Sequence, residues 1–241
     1  MFASVFVFAL VTAYVAAEIP SYIQVCGRKD PNLDKCILQN IENLKDKICE
    51  GIPELNIHSN NPLLLDELAI FDSPENKLFI KDTKVIGLCN FVINFFHIDI
   101  DKLHFDVDLL FKNIQINGTY DLNLRVVVPI AHKAEIHIST DNVGAKVSTD
   151  MKVVTKNNKK YVFLSKMTLN LDINGYTVEF SNNEELGQLR EIVNNFVGTN
   201  QEQIIRSVKP ILEEAITKRI ISVSNDIVKH FTYEELFPDQ E

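Results

Sequence analysis

The chain has 241 residues, a formal net charge of −9 and a pI near 5.2. This acidity argues against nucleic acid and anionic membrane surfaces as partners, because both favour clustered Lys and Arg. No Pro-, Gly- or Ser-rich linker and no change of composition divides the sequence, so we expect one domain over residues 18–241.

Residues 2–17 form an uncharged apolar run that ends in Val15-Ala16-Ala17. A short apolar run that ends in small residues is typical of a secretory signal peptide, here residues 1–17. A membrane anchor is the alternative, but the run is shorter than the roughly 20 residues that a spanning helix needs. The sequence therefore predicts a secreted, extracellular protein that is not integral to a membrane.

The four cysteines are expected to form disulfides in a secreted chain. Cys26 and Cys36 flank a short polar loop near the mature N-terminus, and we pair them. Cys49, at a helix end, and Cys89, in an apolar strand, either form a second disulfide, which we favour, or remain buried thiols, because free Cys behaves as a small hydrophobe.

An amphipathic helix is predicted to open the domain. Asp30 and Pro31 provide an N-cap and a first helical residue, and Gly51 and Pro53 provide a stop. Apolar residues recur between them at helical spacing, at Leu33, Ile37, Ile41, Leu44 and Ile48.

Long runs of alternating apolar and polar residues follow, and they predict strands buried on one side. Asn174-Gly175 between two such runs predicts a hairpin turn. The face predicted to point inward comprises Leu103, Phe105, Val107, Leu109 and Phe111; then Ile114, Ile116, Tyr120, Leu122, Leu124, Val126 and Val128; then Tyr161, Phe163, Met167, Leu169, Leu171 and Ile173.

The period changes to helical after Phe180. Ser181 with Glu184, and Thr199 with Glu202, have the spacing of capping boxes, so two helices are predicted, separated near Gly198. The second is long and contains Pro210, which should kink it.

Catalytic and metal-binding motifs are missing from the sequence. It has no nucleophile elbow, phosphate-binding glycine loop or zinc-type cysteine pair, so we expect no enzyme, no cofactor and no metal. His104 and His137 fall on polar strand faces and are interpreted as solvated. Asn117-Gly118-Thr119 is a glycosylation sequon on a polar face, and modified and unmodified states both stay open.

Several short motifs, in order, give the chain a family resemblance. They are Cys26 and Cys36 around Arg28-Lys29-Asp30-Pro31, Gly51-Ile52-Pro53-Glu54-Leu55 before Asn61-Pro62-Leu63, Gly118-Thr119-Tyr120 before Val128-Pro129-Ile130, and Tyr233-Glu234-Glu235-Leu236-Phe237-Pro238. With these motifs the chain resembles the insect takeout and haemolymph juvenile-hormone-binding protein family. It departs from the family pattern at Ala131-His132-Lys133-Ala134, where glycines are usual.

The resemblance implies an α+β tubular lipid-binding fold, in which a strongly curved antiparallel sheet wraps a long C-terminal helix around an apolar tunnel. It also implies a non-enzymatic, monomeric carrier of a small hydrophobic ligand such as a terpenoid hormone or a fatty-acid-like lipid. The alternative is an extracellular interaction protein with a collapsed tunnel, which binds a protein partner or a microbial lipid at its surface. Candidate lining residues are the inward aromatics Phe105, Phe111, Tyr120, Tyr161, Phe163 and Phe180, which could equally fill an ordinary core.

Overall fold

The computed structural model describes residues 19–55, 57, 59, 61–125, 129–181 and 198–240. Three predicted features lie outside the described residues. They are the signal peptide, the inward positions Val126 and Val128, and nearly all of the helix predicted to begin near Ser181 and Glu184. No helix in the described part is long and apolar enough to span a membrane.

Among the described elements, one helix comes first, the strands follow together, and the other helices come last. The helices are α1 (Leu33–Glu50), a short 3₁₀ turn (Pro53–Leu55), α2 (Gln201–Val228) and α3 (Tyr233–Leu236). The strands are β1 (Leu63–Asp72), β2 (Asn76–Ile86), β3 (Phe91–Asp99), β4 (His104–Arg125), β5 (Pro129–Lys156), β6 (Lys159–Asp172) and β7 (Thr177–Phe180).

The strands form one curved antiparallel sheet built on the long central pair β4 and β5. The first half of β4 pairs with β3 and its second half with β2, so β2 and β3 lie end to end along the same strand. On the other side, β6 and β7 lie end to end along β5. The predicted hairpin at Asn174-Gly175 is therefore wrong, because this connection carries the chain along β5 rather than back against β6.

Both central strands reverse their alternation at the same level. Lys112 and Asn113 are both exposed on β4, and Asp141 and Asn142, opposite them, are both exposed on β5. Asn142 has φ 52°, a left-handed conformation that asparagine tolerates. At the same level β2 gives way to β3 near Gly87 (φ 96°), whose added Cβ would lie 2.1 Å from the Asn113 carbonyl oxygen. We call this level the corner.

One face of the sheet, the inner face, carries the core and meets α2. Around the corner its buried residues pack against Leu212 and Ile216 of α2, and further along they pack against Ile221. Those buried residues are Val85, Ile114, Val143, Ala145 and Leu171 in the first group and Val147, Leu164 and Met167 in the second. The opposite side is the outer face.

Helix α2 is also tied to the open edge of β6 by side-chain contacts. The Asn225 amide accepts a hydrogen bond from Leu164 N (2.7 Å) and donates one to Leu164 O (3.0 Å). Nearer the start of the helix, Glu213 Oε1 accepts a hydrogen bond from Leu171 N at 2.8 Å. These bonds occupy backbone groups that an edge strand otherwise leaves unpaired, so they fix the helix along the sheet. Pro210 lies inside this helix.

Two predicted helix boundaries need correction. Helix α1 begins at Leu33, because the Asp30 carboxylate accepts from Asn32 N and holds residues 30–32 in a turn. Asn200, not Thr199, precedes α2. A capping box that was not predicted is present at Thr232 and Glu235, ahead of α3.

Both disulfides are present, Cys26–Cys36 and Cys49–Cys89. Cys49 lies in the last turn of α1, as predicted, whereas Cys89 lies in the β2–β3 connection rather than in a strand. The Cys26–Cys36 pair packs with Tyr233 and Phe237 in a core cluster that includes Phe105. The two chain ends therefore close one end of the sheet.

The clamp at Asn225 gives a test of how α2 is held. Asn225→Ala leaves two backbone groups of the buried Leu164 unpaired, so we expect the free energy of unfolding to fall by about 1–3 kcal/mol in urea denaturation. The control, Glu214→Ala, removes only an exposed contact with Lys218 and should change stability by at most about 0.5 kcal/mol. Equal, small effects of the two substitutions would show that the clamp does not hold the helix.

Candidate functional site

A hydrogen-bonded tyrosine and histidine lie on the inner face, beyond the corner. Tyr120 on β4 is 8% exposed, and its hydroxyl lies 2.6 Å from Nδ1 of His132 on β5. The two rings stack with centroids 5.4 Å apart, and Phe180 of β7 meets the Tyr120 ring edge-on at 5.5 Å. We call Tyr120 and His132 the inner polar pair.

The strand register explains why this pair forms. Tyr120 lies opposite Ala134, and His132 lies two residues before Ala134, so the two rings are diagonal neighbours on one face. The side chains next to them, Ile80 and Ala134, are buried and apolar. Burial raises the pKa of Tyr120, so its hydroxyl stays protonated over the physiological range.

Four of the six predicted lining residues lie on or beside the inner face. Phe105 stacks on Phe96 (6.3 Å) in the cluster near the disulfide Cys26–Cys36. Phe111 meets Phe91 edge-on near the corner. Tyr120 and Phe180 lie together beyond it. Separate aromatic pairs thus occur at three levels of the inner face, from the closed end to the inner polar pair.

Tyr161 and Phe163 do not share that face, so the predicted alternation of β6 is wrong there. Val162 and Leu164 are the buried residues of this stretch, at 3% and 8% exposure. Ser165 is skipped in the pairing, because Leu164 lies opposite Met151 and Lys166 opposite Asp150. This bulge shifts the parity by one residue. Tyr161 and Phe163 therefore point to the outer face.

Two inner-face threonines differ in how their hydroxyls are satisfied. The Thr140 hydroxyl donates to Gly175 O at 2.7 Å. The hydroxyl of Thr149, whose residue is 0% exposed, has no hydrogen-bond partner among the described residues. A buried hydroxyl without a partner costs stability, so the inner face holds polar character that its own side chains do not use.

The outer face carries polar networks and two open clefts, each of about 470 Å³. Asn117 of the sequon lines the first cleft, and its side-chain oxygen contacts Nδ1 of His137. Neither cleft lies between the sheet and α2. His137 is thus a partner of the sequon asparagine rather than a free surface imidazole.

His104 joins β4 to β5 on the outer face. Its Nδ1 lies 2.7 Å from Asp150 Oδ1 and its Nε2 lies 3.3 Å from both Ser148 Oγ and Asp106 Oδ2. The contact with Asp150 raises the pKa of His104. Ser148, His104 and Asp150 thus form a chain of contacts in the order found in a catalytic triad. Ser148, however, is paired with β4 on one side and β6 on the other, so the backbone N–H groups around it cannot act as an oxyanion hole. No group of three possible metal ligands occurs in the described ranges.

A curved antiparallel sheet, closed by one long C-terminal helix over an apolar inner face, defines the tubular lipid-binding class of folds. The family model described as haemolymph juvenile hormone binding protein matches residues 5–238. The chain belongs to this family.

A solved structure supports the same fold. Takeout 1 of Epiphyas postvittana superposes with a TM-score of 0.72 over 89% of this chain and 99% of that chain, at 20% sequence identity. A lipopolysaccharide binding protein reaches a TM-score of only 0.33, at 11% identity over 77% of this chain and 38% of that one, which is too low to indicate a common fold. A comparison with curated protein sequences finds no significant match. The family to which the chain belongs is described as one of binding proteins.

The His132 side of the inner polar pair was missed by the sequence analysis, although a signal for it exists. Ala134 and Thr140 are buried on β5, and His132 has the same parity as both. The same parity predicts that the His132 imidazole lies on the inner face, beside Tyr120. The family departure at residues 131–134 thus brings a polar ring to the inner face.

The two threonines provide a matched test of inner-face polarity. Thr149→Val removes a hydroxyl that has no partner and should raise the free energy of unfolding by about 1 kcal/mol, whereas Thr140→Val breaks a bond to Gly175 and should lower it by about 1–2 kcal/mol. Denaturant unfolding of both variants measures the difference. A loss of stability in Thr149→Val as large as in Thr140→Val would contradict the assignment of an unused hydroxyl.

Proposed function

We propose that this protein is a secreted carrier that holds one small hydrophobic ligand between the inner face and α2, without catalysis. One observation carries the proposal: none of the 28 residues of α2 is fully buried, although the helix lies along the sheet. The facing aromatics Phe105 and Phe111 are likewise only half-buried. Two apolar surfaces that face each other and bury each other only in part leave area that an apolar ligand can cover.

The energetics favour a ligand with some polar character. Burying about ten methylene equivalents supplies about 8 kcal/mol, and association costs at least about 4 kcal/mol of this. What remains corresponds to weak binding, so micromolar or tighter affinity needs a polar contact. The inner polar pair is the described group placed to supply one.

The lining residues we propose are Phe111, Tyr120 and Phe180, with Phe105 at the closed end. Tyr161 and Phe163 are left out because they face the other side of the sheet. Secretion is supported by the two disulfides, which persist in oxidising compartments. We also propose that the protein is a monomer and that Asn117 is glycosylated. The mass before and after glycosidase treatment tests the last point.

Titration with N-phenyl-1-naphthylamine, a neutral apolar fluorophore, tests the carrier function. We expect saturable uptake of about one probe per chain, displaced by long-chain lipids, because the interior offers one apolar site. Ile216→Trp adds bulk where α2 faces the sheet and should reduce uptake, while Ile220→Trp, at a position 36% exposed, should not.

Thermal unfolding of both variants checks that they remain folded. No saturable uptake by the unmodified protein would contradict the carrier function and favour a surface-binding interaction protein. Equal uptake by Ile216→Trp and Ile220→Trp would place the probe elsewhere than between the sheet and α2.

A further inference from the structure

His132 is a titratable ring on a face that is otherwise apolar in its neighbourhood. The charged residues of the strands around it point the other way: Lys133 and Glu135 on β5, Asp121 on β4, Lys81 on β2 and Glu179 on β7 have outer-face parity. Lys81 and Asp121 also pair with each other at 2.9 Å. Among the described residues, His132 is therefore the one group near Tyr120 that can carry a charge toward the interior.

The hydrogen bond to Tyr120 occupies Nδ1 and leaves Nε2 of His132 without a partner in the described part of the chain. When the ring is neutral, Tyr120 donates to Nδ1 and Nε2–H is one free donor. When the ring is protonated, Nδ1–H donates to the Tyr120 oxygen, so that Nε2–H and the Tyr120 O–H are both free donors. The protonated pair thus offers two donors and one positive charge at a single place.

We propose that the inner polar pair recognises the carboxylate of a hydrophobic acid, with His132 protonated in the complex. This deepens the carrier function and rests on it. A carboxylate has two acceptor oxygens and one negative charge, which match the two donors and the imidazolium. An ester or an alcohol of the same chain lacks the charge, and a carboxylate brought into an apolar interior without a cation pays a large desolvation cost.

The test compares cis-parinaric acid with its methyl ester, two fluorescent ligands that share one chain and differ at the head. We expect the unmodified protein to bind the acid at least about tenfold more tightly than the ester, because one charge-assisted hydrogen bond contributes enough binding free energy for that ratio.

Three variants locate the effect. His132→Leu and the milder His132→Gln should bring the ratio close to one, because affinity for the acid falls much more than affinity for the ester. His137→Leu, an outer-face substitution on the same strand, should leave the ratio as it is.

Equal affinity of the unmodified protein for acid and ester would overturn the proposal, as would a preference for the acid that survives both changes at His132. Either result leaves the carrier function standing if the neutral probe still binds. Failure of the acid, the ester and the neutral probe to bind would contradict the carrier function itself.

Discussion

The arrangement of the whole sheet depends on the corner, where β4 and β5 reverse their alternation together. Had only one strand reversed, its apolar residues beyond that level would face solvent. Because Lys112 and Asn113 are matched across the ladder by Asp141 and Asn142, both strands keep their apolar sides on the same surface. The flanking strands stop and restart at this level, β2 giving way to β3 and β6 to β7. The corner therefore allows a very long two-stranded ribbon to bend while its inner face stays continuous.

A sheet bent in this way must be held around its helix without being filled by it. Besides the partial packing of α2 on the inner face, the structure holds the helix at the sheet edge, since Asn225 and Glu213 bond to the backbone of β6. Such contacts define where α2 lies but do not require its apolar side to be buried against the strands. The residues at the two chain ends fill the space beside Phe105, whereas the region around Tyr120 keeps polar groups. Attachment by the edge is thus compatible with a binding function in a way that a close-packed helix is not.

Alternation in the sequence predicted the faces of β4 well, because its apolar residues change parity on either side of Lys112 and Asn113. It failed on β6, since the bulge at Ser165 has no sequence signature beyond an ordinary serine, and Tyr161 and Phe163 looked regular. The hairpin at Asn174-Gly175 failed because pairing is decided by the space along β5, which a local turn signal does not report. The role of Asn225 could not be predicted either, because the hydrogen-bond partner of a polar helix residue is unknown until the position of the open strand edge is known. The inward position of His132 was predictable from the parity of β5. The family pattern, in which glycines are usual at this place, gives no indication of it.

The packing of the tail against the disulfide loop has a practical consequence for protein engineering. Arg28 N donates to the Pro238 carbonyl, Arg28 and Lys29 pair with Asp239, and a Cβ on Gly27 would lie 2.1 Å from the Gln240 carbonyl oxygen. Residues 27–29 thus adjoin residues 238–240, so a short peptide can connect these two segments. The exposed turn at Asn157 and Asn158 then offers a place to open new termini, at the end of the central ribbon and on no buried surface. A circularly permuted reporter cut there would carry its fluorescent partners on the β5–β6 ribbon instead of beside the loop that the disulfide closes.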